Sequence, residues 1–165
     1  MTAAHFSKDT LEFIKLLARH RVRYLIVGGE AVILHGHARL TGDVDFFYEA
    51  TRTNAQRLFS ALTDFWQGDI PGIDSVKDLL MKNLIIQFGV PPHRIDLVNS
   101  ITGVSFAEAW PSRVEEKIEV SRRKYAVYFI GLDALIKNKE SIRRPKDLED
   151  LKYLKAAAIK TNLNK

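Results

Sequence analysis

The 165-residue sequence contains no cysteine. Disulfide staples, thiolate zinc sites, iron–sulfur clusters and cysteine nucleophiles are therefore excluded. No apolar run approaches the ~18 residues that a bilayer-spanning helix requires, so no membrane partner is expected. Residues Met1–Lys15 alternate polar and apolar side chains, which predicts no secretory leader. A cytoplasmic setting fits both observations. Internal repeats and low-complexity tracts are also missing. What is present is globular: 46% hydrophobic and 27% charged residues, against the composition of a disordered chain. A chain of this size buries about 70% of the surface its unfolded form exposes, enough for a core without staples. The net charge of +5 leans toward polyanionic partners such as nucleotides or RNA.

Hydrophobic spacing gives the order of elements. Leu11, Ile14, Leu16, Leu17 and Ala18 predict a helix over about 9–20, capped by Ser7 or Asp9. Tyr24-Leu25-Ile26-Val27 is a continuous apolar run stopped by Gly28-Gly29, which reads as a buried strand ending in a turn. A short helix over 30–35, a strand over 44–48 with Asp43 at its start, and an amphipathic helix over 54–66 follow. Residues 68–78 read as a loop. The runs 84–88 and 94–98, separated by Gly89-Val90-Pro91-Pro92, predict a hairpin. A helical turn over 106–110 precedes strands over 113–120 and 125–130, joined at 121–124. Helices over 132–138 and 145–158 close the chain, with Pro145 suited to a first helical turn. The expectation is an α/β fold: a mixed central β-sheet flanked by helices, with C-terminal helices on one side of a cleft. One domain is expected over 1–165, of which 131–165 is a helical extension.

Chemistry concentrates between the first two strands. In a strand, Asp43 and Asp45 point to the same face, about 6.6 Å apart along the chain. Two carboxylates so placed repel each other unless a cation binds between them. Magnesium, or manganese in its place, takes oxygen ligands of this kind together with substrate phosphates. Glycines between a buried strand and a helix let backbone N–H groups approach an anion, which suits Gly28 and Gly29 to phosphate. No Gly-Lys-Ser/Thr follows, so the pair is not a Walker loop, and a dinucleotide fingerprint lacks its third glycine. Asp96, a lone acid inside the apolar strand Arg94–Val98, is the candidate third carboxylate. Taken singly, a glycine pair, an Asp-x-Asp and a strand aspartate are each commonly structural; their order along the chain is what points to a site. His35 reads as a packing residue that hydrogen-bonds a loop, and Glu30 as structural at the helix start. Arg39 either contacts substrate or pairs with an acid. Thr41 either caps the strand start or binds phosphate. No serine sits in a nucleophile elbow.

The block Gly-Gly-Glu-Ala-Val-Ile-Leu-His-Gly-His-Ala-Arg-Leu-Thr-Gly-Asp-Val-Asp-Phe, residues 28–46, resembles the nucleotidyltransferase superfamily related to DNA polymerase beta. More narrowly it is similar to small nucleotidyltransferase-like proteins, including toxins of abortive-infection toxin–antitoxin pairs. The resemblance spans about residues 24–154. It implies Asp43, Asp45 and Asp96 as catalytic and metal-binding residues, and Gly28, Gly29, Arg39 and Thr41 at the nucleotide. It further implies that Lys139 and one arginine, Arg144 or else Arg143, face the triphosphate, with Lys146-Asp147 at the mouth. The alternative for these charges is a solvated helix face with pairs such as Lys146 and Asp150.

The expected reaction is magnesium-dependent transfer of a nucleoside monophosphate from a nucleoside triphosphate to a hydroxyl, with release of pyrophosphate. RNA, in particular tRNA ends, a protein or a small molecule would be the acceptor. Asp96 would hold a second ion and promote attack by the hydroxyl. The competing expectation is a silent nucleotide-binding or toxin–antitoxin module, working with an antitoxin or a second copy of the chain.

Overall fold

The computed structural model describes residues 2–165. Its elements in chain order are α1 (Lys8–Arg19), β1 (Tyr24–Val27), α2 (Gly28–Leu34), β2 (Asp43–Tyr48), α3 (Arg52–Trp66), β3 (Ile85–Phe88), β4 (Arg94–Val98), α4 (Phe106–Ala109), β5 (Val114–Val120), β6 (Arg123–Phe129), α5 (Leu132–Ile142) and α6 (Pro145–Leu163). The six strands form one mixed sheet in the order β3-β4-β2-β1-β6-β5. β1 runs antiparallel to β2 and parallel to β6, and β2 runs parallel to β4. The hairpins β3–β4 and β5–β6 make the two ends. The fold is therefore the expected α/β class, with helices at the C-terminus.

Period-two alternation in β2 divides the molecule. Val44, Phe46 and Tyr48 face one way, and Phe46 meets Phe13 of α1 edge-on at 5.2 Å. Helices α1 and α3 pack together over that face. Asp43, Asp45 and Phe47 face the other way, where Phe47 meets Phe106 of α4 at 5.3 Å. The second face is thus apolar around Phe47 and acidic at the start of β2. Leu135 of α5 and Leu154 of α6 are fully buried and join the same core.

Several boundaries differ from the sequence reading for physical reasons. Helix α2 starts at Gly28 rather than Glu30, because Gly28 at φ +64° reverses the chain directly out of β1. The stretch 68–78 is not all loop. An isolated bridge joins Ile70 and Ile73, and a 3-10 turn over Val76–Leu80 buries Leu79 beneath the Tyr48 hydroxyl, which donates to the Leu79 carbonyl at 2.8 Å. The β5–β6 turn is only Ser121-Arg122, both at positive φ (52° and 64°). That conformation matches the sheet twist but is normally signalled by Asn or Gly. α5 continues to Ile142 and ends at Arg143 in the left-handed region, a stop without glycine.

Candidate active site

The parallel pairing of β2 with β4 sets Asp43 opposite Arg94 and Asp45 opposite Asp96. Residues opposite each other in a sheet share a face, so three acids and one base form a square on the face away from α1. Carboxylate oxygens of Asp43, Asp45 and Asp96 lie within 4.8 Å of one another. The donor set is all oxygen, the kind that hard divalent cations take.

Gly28 and Gly29, the first two residues of α2, close the square. A Cβ on Gly28 would lie 2.3 Å from Asp45 Oδ2, and one on Gly29 would lie 2.6 Å from the Thr41 hydroxyl. No larger residue fits either position without displacing the carboxylate or the threonine. Thr41 Oγ1 in turn donates to the Asp43 carbonyl at 3.2 Å, fixing the start of β2. Gly28→Ala should therefore cost roughly 2–3 kcal/mol, from the left-handed backbone together with the clash. Scanning calorimetry should show Tm falling by roughly 5–10 °C, and an unchanged Tm would mean that Asp45 does not press on this backbone.

The carboxylates differ in their surroundings. Asp96 is buried and receives Arg94 Nε at 2.7 Å, Arg94 Nη2 at 2.9 Å and Gln87 Nε2 at 3.2 Å. Asp43 receives the same Arg94 Nη2 at 2.7 Å. Asp45 is pushed up to about 7, by burial first and then by the charges of Asp43 and Asp96; Arg94 and Lys139 counter this only in part. An acid half-buried between two others, with no donor among the described residues, is the side chain in this group most in need of a cation. The residues present therefore fit a divalent ion.

The other expected nucleotide contacts divide into two groups. Lys139 is 2% exposed, and its ammonium donates to Asp147 at 2.7 Å and lies 3.1 Å from Asp150. Arg39 pairs with Asp150, its Nε at 3.0 Å and its Nη2 at 3.2 Å. Arg144 holds Asp147 through its backbone N–H at 3.1 Å and its Nε at 2.7 Å, while half of its side chain stays exposed. Lys146 is exposed. Two expectations are corrected here. Asp147 does not stand at a mouth: it is fully buried beneath Arg144 and Lys139. The surface pair of Lys146 with Asp150 does not form, because Asp150 faces inward to Lys139 and Arg39. Arg39 takes the acid-pairing role of the two considered for it.

His35 Nε2 donates to the Ile130 carbonyl at 2.8 Å, the packing role expected of it. Glu30 is buried and bonded to His5, a partner that spacing does not reveal. Arg94 was missed as a site residue, although a residue two before Asp96 in a strand must share its face. Gln87 was missed because its place beside Asp96 depends on the β3–β4 register.

No curated protein matches the chain. The family model described as "Nucleotidyltransferase of unknown function (DUF6036)" matches residues 8–162, which take in the glycine pair, all three carboxylates and the Lys139 cluster. With the acidic square and its glycine wall inside the matched region, the chain belongs to this nucleotidyltransferase family.

Proposed function

We propose that the protein is a magnesium-dependent nucleotidyltransferase that joins the α-phosphate of a nucleoside triphosphate to an acceptor hydroxyl. The observation that carries this reading is the convergence of Asp43, Asp45 and Asp96 against the glycine hinge. Asp43 and Asp45 would hold the ion together with substrate phosphates, with Asp96 as third member of the set. When bound, the ion supplies charge neutralisation on the phosphates and activates the hydroxyl. The bond formed joins the acceptor oxygen to the α-phosphorus, and the bond broken releases pyrophosphate.

The chain's own contribution is orientation and charge. Gly28 and Gly29 would offer N–H groups of the first turn of α2, which have no acceptor within the helix, to the β- and γ-phosphates. Thr41 and Arg39 stand directly against Gly29 and would hold that turn in shape. The exposed half of Arg144 and the exposed Lys146 would meet the triphosphate from outside, while buried Lys139 adds positive potential at Asp45. Positive groups fixed before substrate arrives favour the charge that develops during phosphoryl transfer. The net charge of +5 favours an RNA acceptor, tRNA included, over a neutral small molecule.

The test is transfer of label from α-labelled nucleoside triphosphates to total tRNA, to the protein itself and to small hydroxyl compounds. Label should appear only with magnesium or manganese. Asp43→Asn should lower it by about 10²–10³-fold. Labelling equal in the variant would sink the proposal. Nucleotide binding with no transfer to any acceptor would instead identify a silent binding module.

A further inference from the structure

The geometry points to a one-ion site, in which the Arg94 guanidinium permanently stands where a second divalent cation would bind. This inference rests on reading the acidic square as a divalent-cation site. Two-ion phosphoryl transfer needs cations about 3.5–4 Å apart, bridged by shared carboxylates. The bridge available here for a second ion runs from Asp43 to Asp96. Arg94 Nη2 already fills it, 2.7 Å from Asp43 Oδ2 and 2.9 Å from Asp96 Oδ2. A magnesium ion sits 2.0–2.1 Å from its oxygens, so ion and guanidinium cannot share that space.

Arg94 is also held firmly. It grips Asp96 through Nε and Nη2 together, a two-pronged pairing stronger than two neutral hydrogen bonds. Gln87, from the neighbouring strand β3, donates to the same carboxylate at 3.2 Å and locks it in orientation. A guanidinium does not lose its proton in proteins, so only breaking all three charged contacts would release it. Asp45 is left over, with no hydrogen-bond partner among the described residues, and its carboxylate lies within 4.8 Å of an oxygen of Asp43. That is room for one ion. Asp96 and Gln87 then act as positioning residues: they hold Arg94, and Arg94 supplies the second positive charge.

Electron paramagnetic resonance of manganese bound to the full chain, with one equivalent of a non-hydrolysable nucleoside triphosphate, tests this. The wild-type protein should show one uncoupled manganese per chain. Arg94→Gln should free the Asp43–Asp96 bridge and give two manganese ions with a spin-coupled signal, whereas Arg94→Lys, which restores a cation, should return the signal to the uncoupled form. A coupled pair in the wild type overturns the inference, as does an Arg94→Gln protein that still holds a single ion. Should Arg94→Gln not fold, the wild-type spectrum decides alone. A wild type that binds no manganese overturns both this inference and the metal-dependent function. A single uncoupled manganese without transfer activity removes the transferase reading and leaves the Arg94 assignment standing.

Discussion

Asp45→Asn should abolish label transfer and yet make the protein more stable. The two effects have one cause. Asp45 lies half-buried between Asp43 and Asp96, and its carboxyl is pushed up to about 7. In an unfolded chain an aspartate titrates near 3.9. Between about pH 4 and pH 7 the folded protein therefore holds a proton that the unfolded chain has lost. Stability must fall as pH rises through that window, and stay low above it. Removing the charge removes the slope. At pH 8 the variant should gain ~2 kcal/mol, discounted for relaxation and solvent around a partly accessible group, or about 4–8 °C in Tm. At pH 4 the two proteins should melt nearly together. Transfer activity should drop at least ~10²-fold over the whole range, since the amide cannot neutralise a cation. Thermal melts across pH 4–8, paired with the labelling assay, check both halves. A variant that melts lower than wild type at pH 8 would show that Asp45 contributes structure rather than strain.

Much of this site was legible in the sequence, for reasons that differ between residues. Asp43 and Asp45 share a face because a strand alternates, and that follows from spacing alone. The placement of Asp96 does not. It requires β4 to lie parallel beside β2 in the register Asp45 to Asp96, although the two strands are separated by α3 and β3. Strands β1 and β4 were bounded correctly because each is a short run between clear breaks. The β5–β6 turn and the end of α5 were misplaced because Ser121, Arg122 and Arg143 adopt positive φ, where sequence rules look for glycine or asparagine. The inner face of α6 was misread for another reason. Asp147, Asp150, Leu151 and Leu154 are buried along it, so half of the stripe that faces the protein is charged. A stripe of that kind looks like a solvated surface until its partners are known.

Those partners carry the second large effect. Lys139→Met should unfold the protein far more readily than any surface lysine change. Lys139 is the ammonium shared by Asp147 and Asp150, which are 0% and 1% exposed. Removing it leaves Asp147 to Arg144, and Asp150 to Arg39 and to His37, whose Nε2 lies 3.8 Å away. Breaking a buried charged network in this way costs about 3–5 kcal/mol, or roughly 10–15 °C in Tm for a chain of this length. The pH dependence has the opposite sign to that of Asp45. Burial alone would raise Asp147, but hydrogen bonds from Arg144 and Lys139 outweigh it and hold the carboxyl at about 2. That stability is present above the unfolded value and is lost as pH falls from about 4 toward 2. Lys139→Met should therefore lose most at neutral pH and least in acid. Adding Asp147→Asn should restore part of the loss, because a neutral partner no longer needs the ammonium, and the cycle should show at least ~1 kcal/mol of coupling. A Lys139→Met protein that melts within 2 °C of wild type would instead leave the ammonium free for substrate phosphates. The network also reaches the site. Asp150 holds Arg39, Arg39 lies against Gly29 beside Thr41, and Thr41 holds the first residue of β2. Loss of the buried lysine should consequently loosen the glycine hinge and the acidic square together, which is how a side chain with no access to solvent can govern chemistry at the sheet face.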